Sequence, residues 1–450
     1  MSNAREIALL SPRPVLSAIL LSTLLAGAAR AETLRDAIAQ ADRTSPVLHG
    51  QQALQRATAE GGVQARAGWK PQIGVTASGG YQRQPYDTLN FGYGAVDSNQ
   101  AQAALTVTQP VYTGGRVANA VRAADARTLA GVAGLHATEE QVFQSVIGAY
   151  MDVLRDGTIL SIRRADLQTL TRQVANTAAR FKLGTGVTRT DVAQAKAQQL
   201  AAQAALDAAQ AQLAASRANY TAIVGAVPTH LTDPGNLPDL PASLHAALAR
   251  AAAADPLVAQ SRLTALASAD DIATERAAAM PSVGVQASFG TIGPASPLHT
   301  GLYQQQASAI VTVTVPIYQG GLIASQVRAA RDRNAADQAA ADNTARQAVQ
   351  AVLTDWSATR TGLAAIAANT AQVKSAELAL RGYQTEYGYG LRSTLDVLIA
   401  DENLRAAQVS LAESRHDTLV AEAALLAATG DLRFATLMRG TPPAGGTMGP

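Results

Sequence analysis

A short segment occurs twice in this chain, each time where a strand-like pattern gives way to a helix-like one. The sequence QPVYTGGRVANAVRAA begins at Gln109, and VPIYQGGLIASQVRAA begins at Val315, 206 positions later. Other pairs keep the same order: Ser45-Pro46 with Asp255-Pro256 and Lys70-Pro71 with Met280-Pro281, both 210 apart, and Gly225 with Gly430, 205 apart. Similar parts in a preserved order indicate a tandem duplication, with length changes confined to loops.

The N-terminus has the pattern of a secretory signal peptide. An apolar run from Val15 to Ala26 follows two arginines and precedes the A-x-A sequence at 29–31. We therefore expect residues 1–31 to be removed and the mature chain to begin at Glu32. The alternative, an N-terminal membrane anchor, is less well supported because the run is short for a spanning helix.

The mature chain divides into two repeats and a tail. The first repeat covers 32–237 and the second 238–432, and 433–450 is predicted to be a flexible tail. A Pro-rich stretch beginning at Val227 reads as the linker between the repeats. Each repeat is predicted to contain a helix, a β-hairpin, a long helix and a return helix. The predicted hairpins are 71–112 and 281–318, the long helices 116–181 and 322–387, and the return helices 190–225 and 394–430.

In the predicted hairpins, apolar and polar residues alternate, as in strands that have one apolar and one polar face. Val311, Val313 and Val315 share one face, while Thr312 and Thr314 share the other. The runs approach the roughly 9–11 residues that a bilayer-crossing strand needs. We predict loops at Gln82–Gln100 and Thr291–Gln306, and long polar outer loops are typical of membrane barrels. A soluble, half-buried hairpin is the alternative.

The segment after each Gly-Gly pair has a seven-residue period, which predicts helices that supercoil around their neighbours. A helix over 116–181 would be about 100 Å long, roughly three times the thickness of a bilayer core. The seam between strand and helix explains the repeated motif. Pro110 and Pro316 are predicted to end the strand ladder, and Gly114-Gly115 and Gly320-Gly321 to permit the change of direction. The positions of the seven-residue repeat are Val146, Val153, Leu160, Leu167, Val174 and Phe181, and, 206 later, Val352, Thr359, Ile366, Val373, Leu380 and Tyr387.

Four strands cannot stand alone in a bilayer, because an open sheet leaves backbone groups unpaired in hydrocarbon. A dimer would make an eight-stranded barrel filled by side chains, whereas a trimer would make a twelve-stranded barrel with room inside. The predicted fold class is therefore a mixed α/β membrane protein. We expect a trimeric twelve-stranded barrel in the outer-membrane lipid, continued by a long periplasmic α-helical coiled-coil barrel.

Composition argues against most other functions. The chain has no cysteine and a net charge of +2, so we expect no thiol chemistry and no nucleic-acid partner. Its six histidines show no metal-ligand spacing, and no nucleophile or dinucleotide motif is present. We expect no catalysis, cofactor or metal. A non-conducting periplasmic or surface coiled-coil structural protein is the alternative function.

At these residues the chain resembles the TolC-type outer-membrane efflux protein family. The resemblance rests on the two seams, the helix pattern, and the turns RFKLGTGVTRTDVAQA and EYGYGLRSTLDVLIAD. It implies a homotrimeric exit duct in the outer membrane that conducts small molecules or secreted proteins. It also implies a periplasmic adaptor and an inner-membrane transporter, either ATP-driven (ABC) or proton-driven, as partners.

The resemblance further implies a gate at the periplasmic end. In the family, the second-half turn carries a tyrosine, an arginine and two aspartates that constrict the duct. Tyr387, Arg392 and Asp396 match the first three, while the second aspartate falls at Ile399, with Asp401 two residues on. In the first half, Thr190 and Asp191 match the partners of the tyrosine and arginine. The alternative is that these polar groups only cap and solvate a helix turn.

Overall fold

The computed structural model describes residues 32–88, 92–184, 186–295 and 302–438, so the predicted signal peptide at 1–31 lies outside the described residues. Its elements run in the order helices, hairpin, long helix and return helix, twice. The elements are α1 Leu34–Thr44, α2 Pro46–Ala67, β1 Gln72–Thr88, β2 Gly92–Tyr112, α3 Arg116–Lys182, α4 Arg189–Val224, α5 Leu244–Ala254, α6 Pro256–Ala277, β3 Ser282–Pro294, β4 Gln304–Thr314, α7 Leu322–Gly388, α8 Thr394–Ala428 and α9 Phe434–Met438.

Two helices precede each hairpin, where the sequence predicts one. The break falls at Ser45-Pro46 in the first repeat and at Asp255-Pro256 in the second. Each proline is the first residue of a new helix, and the side chain before it accepts hydrogen bonds from the following backbone N–H groups. Proline lacks the N–H that would continue a helix but suits its first turn, so the chain stops and restarts there.

The four strands form one antiparallel sheet in the order β1-β2-β3-β4. Pairing of β2 with β3, for example Leu105 opposite Phe289, joins the two repeats. The prediction of a loop over Gln82–Gln100 is wrong, because β1 and β2 pair as far as Thr88 and Gly92. The sequence of this part is rich in Gly, Tyr, Asn and Gln and lacks the regular alternation that marks a half-apolar strand. In a single chain, β1 and β4 remain as edges of the sheet.

The strand-to-helix seams depend on glycine. Gly115 and Gly321 are the residues that precede α3 and α7, with φ of 87° and 83°. A Cβ on Gly114 would lie 2.5 Å from the Cβ of Met280, whereas one on Gly320 would meet nothing within 4 Å. The first seam therefore packs on the turn between α6 and β3, while the second seam lies open in a single chain.

Pro110 does not end the ladder as predicted. β2 continues to Tyr112, and its register with β3 shifts between Pro110 and Tyr112. Pairing with β1 has already ended at Thr108, so Pro110 lies where β2 has one neighbour, and an irregularity can accommodate its missing N–H. Pro316 does lie beyond the end of β4 at Thr314.

The long helices α3 and α7 contain 67 residues each, or about 100 Å at 1.5 Å per residue. Most of the seven-residue repeat lies inward: Val146 and Val352 are fully buried, and Leu160 and Leu380 are each 7% exposed, whereas Phe181 near the end of α3 is exposed. The two helices differ in burial, however, because 23 residues of α3 but only 6 of α7 are buried. Since the sequences are duplicated, the open side of α7 indicates a surface that a neighbouring chain covers.

The main core lies near the middle of α3. The rings of Tyr150 and Tyr220, both fully buried, are 6.4 Å apart. The Tyr220 hydroxyl donates to the Glu32 carboxylate at 2.5 Å, which fixes the expected mature N-terminus to α4. Part of the predicted flexible tail also belongs here, because Leu437 in α9 is 3% exposed and packs into this core. Residues 439–450 of that tail lie outside the described residues.

No helix among the described residues combines the length and apolar character that crossing a membrane would require.

Candidate gate at the helix tips

The candidate gate lies where each long helix turns into its return helix. One turn joins α3 to α4, and the other joins α7 to α8. Gly184 and Gly186 have φ of 71° and 73° in the first, and Gly390 has φ of 77° in the second. These left-handed residues reverse the chain at little steric cost, so both coiled-coil pairs end in tight tips.

Asp191 and Asp396 serve the same local purpose in their two turns. The Asp191 carboxylate accepts hydrogen bonds from the Thr188 backbone N–H at 2.7 Å and hydroxyl at 2.8 Å. The Asp396 carboxylate accepts both equivalent bonds from Ser393 at 2.9 Å. These bonds, the backbone N–H first, hold the pKa of each carboxyl below its usual value. Both residues are thus capping-box partners at the start of a helix, and each remains ionised at neutral pH.

Tyr387 joins the two tips. The guanidinium carbon of Arg180, on α3, lies 4.6 Å from the centre of the Tyr387 ring, on α7. The same ring packs with Leu380 and Val397, and its hydroxyl accepts a hydrogen bond from the Thr394 hydroxyl at 3.3 Å. A cation over an aromatic face contributes about 0.5–1 kcal/mol where exposed. The contact is therefore a weak, reversible tie between the coiled coils of the two repeats.

Arg392 is engaged within its own turn. Its Nε donates to the Glu386 carboxylate at 2.7 Å, and its guanidinium carbon lies 4.6 Å from the centre of the Tyr383 ring. Thr190 is exposed in the first turn of α4. Within the described part of one chain, Thr190 and Asp191 do not meet Arg392 and Tyr387 in hydrogen bonds.

Sequence reasoning missed three residues of this arrangement: Arg180, Tyr383 and Glu386. A signal for Tyr383 was available, since it lies four residues before Tyr387 and so on the same helix face. The sequence also indicates the two capping boxes, because Thr188 and Ser393 are each followed three residues later by an aspartate. The seam residues Pro110 and Pro316, with their glycine pairs, lie at the opposite end of the long helices.

Comparisons with known proteins agree with this architecture. The family model described as outer membrane efflux protein matches residues 37–226 and 247–431. Outer membrane efflux protein BepC of Brucella suis biovar 1 is 32% identical over 92% of this chain and 90% of its own. Outer membrane protein TolC of Escherichia coli K12 is 26% identical over 91% of this chain and 84% of its own.

A solved structure shares the fold. The outer membrane protein VceC of Vibrio cholerae superposes with a TM-score of 0.76 at 22% identity, over 88% of this chain and 96% of that one. The chain thus has the fold of that structure, with a four-stranded antiparallel sheet that is continued by long helices. It is an outer-membrane protein that extends into the periplasm. From the matches over both repeats, the chain belongs to the outer membrane efflux protein family and acts as the outer-membrane exit duct of an export system.

Proposed function

We propose that the two helix tips form a periplasmic gate that rests closed, with Tyr387 as the residue at which the repeats meet. The contact between Arg180 and the Tyr387 ring carries this proposal, because it is a tie between the coiled coils at their free ends. Thr190, Asp191, Arg392 and Asp396 lie at the same end of the long helices, in or next to the two turns. In the assembled duct their exposed groups would face the equivalent groups of neighbouring chains.

Each of the proposed contacts between the tips contributes little free energy. Each neutral hydrogen bond contributes on the order of 1 kcal/mol, and one to a charged group about 1.5–3. Three copies hold the tips together, while a binding partner can still separate them. Ionised Asp396 carboxylates around the axis would also favour cations over anions at the constriction.

Single-channel conductance in planar bilayers tests this gate. Arg180→Gln, and the double change Tyr387→Phe with Arg392→Ser, are expected to raise conductance without changing the yield of trimer. Arg172→Gln is the matched control, because Arg172 lies on the same helix and its Nε donates to the Gln168 carbonyl of that helix. Wild-type conductance in both gate variants would place the gate elsewhere, and the exposed Ile399 would be examined next.

We further propose a homotrimer that works with a periplasmic adaptor and an inner-membrane transporter. Apolar side chains are exposed at both tips, including Leu183 at 77%, Tyr389 at 80% and Leu391 at 75%. Exposed apolar groups clustered at one end of a protein are typical of a docking surface, which supports an adaptor that binds there. Leu183→Ser with Leu391→Ser should abolish export in cells while conductance of the purified channel stays unchanged. Unimpaired export by this variant would argue against docking at the tips.

A further inference from the structure

A cavity of about 630 Å³ lies where α3, α6, α7 and α8 meet, away from both the sheet and the tips. Its walls carry three acidic side chains from different elements: Glu140 on α3, Asp255 at the start of α6, and Asp355 on α7. Five glutamines, two threonines and six alanines supply most of the remaining lining, and the described residues that line it include no lysine or arginine. The cavity is therefore acidic, rich in hydrogen-bond acceptors and walled by small side chains.

Glu140 is the group that points to a ligand. Glu140 is only 6% exposed, and its Oε1 is buried without a hydrogen-bond partner among the described residues. An unsatisfied buried polar atom costs about 1–3 kcal/mol, and more when charged. Asp255, by contrast, is engaged, since its Oδ1 accepts from the backbone N–H groups of Leu257 at 2.8 Å and Val258 at 3.1 Å.

The sequence position of Glu140 is also unusual. It continues the buried stripe of Phe143, Ile147 and Tyr150 at spacings of three, four and three residues. Packing alone would favour an apolar residue there, because a carboxylate buried without a counter-ion is costly. A cation in the cavity would supply the missing partner.

We propose that this cavity binds a small organic cation that carries ammonium groups, with the Glu140 carboxylate as its counter-ion. Among the described residues, no group of three or more His, Cys, Asp or Glu side chains is placed to hold a metal ion. The volume also far exceeds that of a single ion and admits a short alkyl chain. Asp355 and the glutamine carbonyls can accept hydrogen bonds from a second ammonium group, while the alanines line its methylene groups.

Proton exchange gives this site a measurable signature. Burial raises the pKa of Glu140 to about 9, so the carboxyl is protonated at neutral pH in the empty cavity. Burial also raises the pKa of Asp355. A bound ammonium favours the ionised carboxylate, so binding must release the Glu140 proton and must tighten as pH rises toward 9. The other charged groups that act on Glu140 are Asp255, Asp431 and Glu139, which raise its pKa, and Arg433, which lowers it.

Calorimetric titration of the full-length trimer with 1,4-diaminobutane tests the proposal. We expect saturable binding, roughly millimolar or tighter, with close to one proton released per chain at about pH 7.5. The released proton appears as a difference in heat between two buffers of unequal ionisation enthalpy. 1,4-Butanediol, which has the same length and no charge, should not bind.

Three variants separate the proposed counter-ion from general effects of substitution. Glu140→Gln keeps the shape of the side chain and should abolish both binding and proton release. Ala351→Leu narrows the cavity without a change of charge and should weaken binding. Glu413→Gln is the control, because the exposed Glu413 on α8 neither lines the cavity nor is among the charged groups that act on Glu140; it should bind as the wild type does. Absence of saturable heat in the wild type, equal binding of the diol, or undiminished binding by folded Glu140→Gln trimers would each overturn the proposal.

Discussion

Replacing Asp401 with asparagine should make the contact between α3 and α8 less sensitive to pH. Asp401 lies two turns into α8 and is 3% exposed; Asp166, on α3, is 9% exposed beside it. The Asp401 Oδ1 accepts from Arg405 at 3.1 Å, while its Oδ2 is buried without a hydrogen-bond partner among the described residues. Asparagine would keep the acceptor for Arg405 and place an N–H donor where Oδ2 stands.

The size of the effect follows from the pKa of Asp401. Burial raises this pKa from 3.8 to about 6; Arg405 opposes the shift and Asp166 adds to it. Because the folded chain holds the proton more tightly, the protonated carboxyl contributes stability that is fully present below about pH 4. This contribution is lost as pH rises through about 6. With a pKa near 6 in the folded chain, the part of this contribution lost between about pH 5 and pH 8 is on the order of 1–2 kcal/mol.

Thermal unfolding of the detergent-solubilised protein, followed by helical circular dichroism at these two pH values, measures the effect. For a helical unit of this size, the wild-type Tm should fall by roughly 2–6 °C from this group. Asp401→Asn should remove that part of the fall, and Glu402→Gln, an exposed neighbour on the same helix, should not. The Arg163 and Gln198 side chains that also line this site are unchanged in either variant. If Asp401→Asn shows the full wild-type pH dependence, the buried carboxyl does not titrate as described.

Two further predictions concern the sheet and its seams. Val313→Arg should reduce insertion of the sheet into the membrane, because a charged side chain on the lipid face costs about 2–4 kcal/mol near the bilayer midplane. Thr312→Arg, on the opposite face, should assemble and alter conductance. Equal yields of folded protein would show that the Val313 face does not contact lipid. Alanine at Gly114 or Gly320 would adopt a strained positive φ, 63° or 58°, but only Gly114→Ala also clashes with Met280. Gly114→Ala should therefore destabilise each chain more than Gly320→Ala does, whereas Gly320→Ala should reduce the trimer fraction in detergent more if a partner subunit packs on that seam. Identical effects on chain stability and assembly would contradict this division.

Periodicity predicted the regions in which packing repeats regularly. The seven-residue stripe that begins at Val146 predicts α3, because one face of that helix packs on its neighbours as far as Val174, while Phe181 at its end is exposed. The strand pattern around Val313 predicts β4 because apolar and polar residues alternate along it. The sequence from Gln82 to Gln100 is rich in Gly, Tyr, Asn and Gln and has no regular alternation, so it predicts a loop where β1 and β2 in fact extend.

The candidate gate shows the limit of sequence reasoning. A motif can indicate which residues lie in a turn, but the partner of each side chain depends on rotamers and on neighbouring helices. Asp396 is engaged by Ser393, three residues away, and Arg392 by Glu386. The sequence does indicate that Asp401 is buried. It lies at helical spacing between the apolar residues Val397 and Leu404 and therefore on the same face of α8.

Duplication makes the assembly itself testable. The pairing of β2 with β3 has an equivalent in which β4 pairs with β1 of the next chain. Moving the observed pair of Leu105 and Phe289 by the repeat offsets, 206 and 210, places Val311 opposite Gly79 of the partner subunit. Residues directly opposite on antiparallel strands have Cβ atoms about 4.5–5.5 Å apart, close enough for engineered cysteines to approach disulfide geometry.

Disulfide trapping at this pair tests the central claim of a closed trimer most directly. The chain has no cysteine of its own, so a variant with Gly79→Cys and Val311→Cys has a clean background. After mild oxidation in outer membranes, non-reducing electrophoresis should show covalent dimers and trimers and no larger species. The control with Ser78→Cys and Val311→Cys, whose side chains point to opposite faces, should remain mostly monomeric. A ladder that stops at two chains, or one that continues beyond three, would contradict a twelve-stranded barrel built from three copies of this sheet.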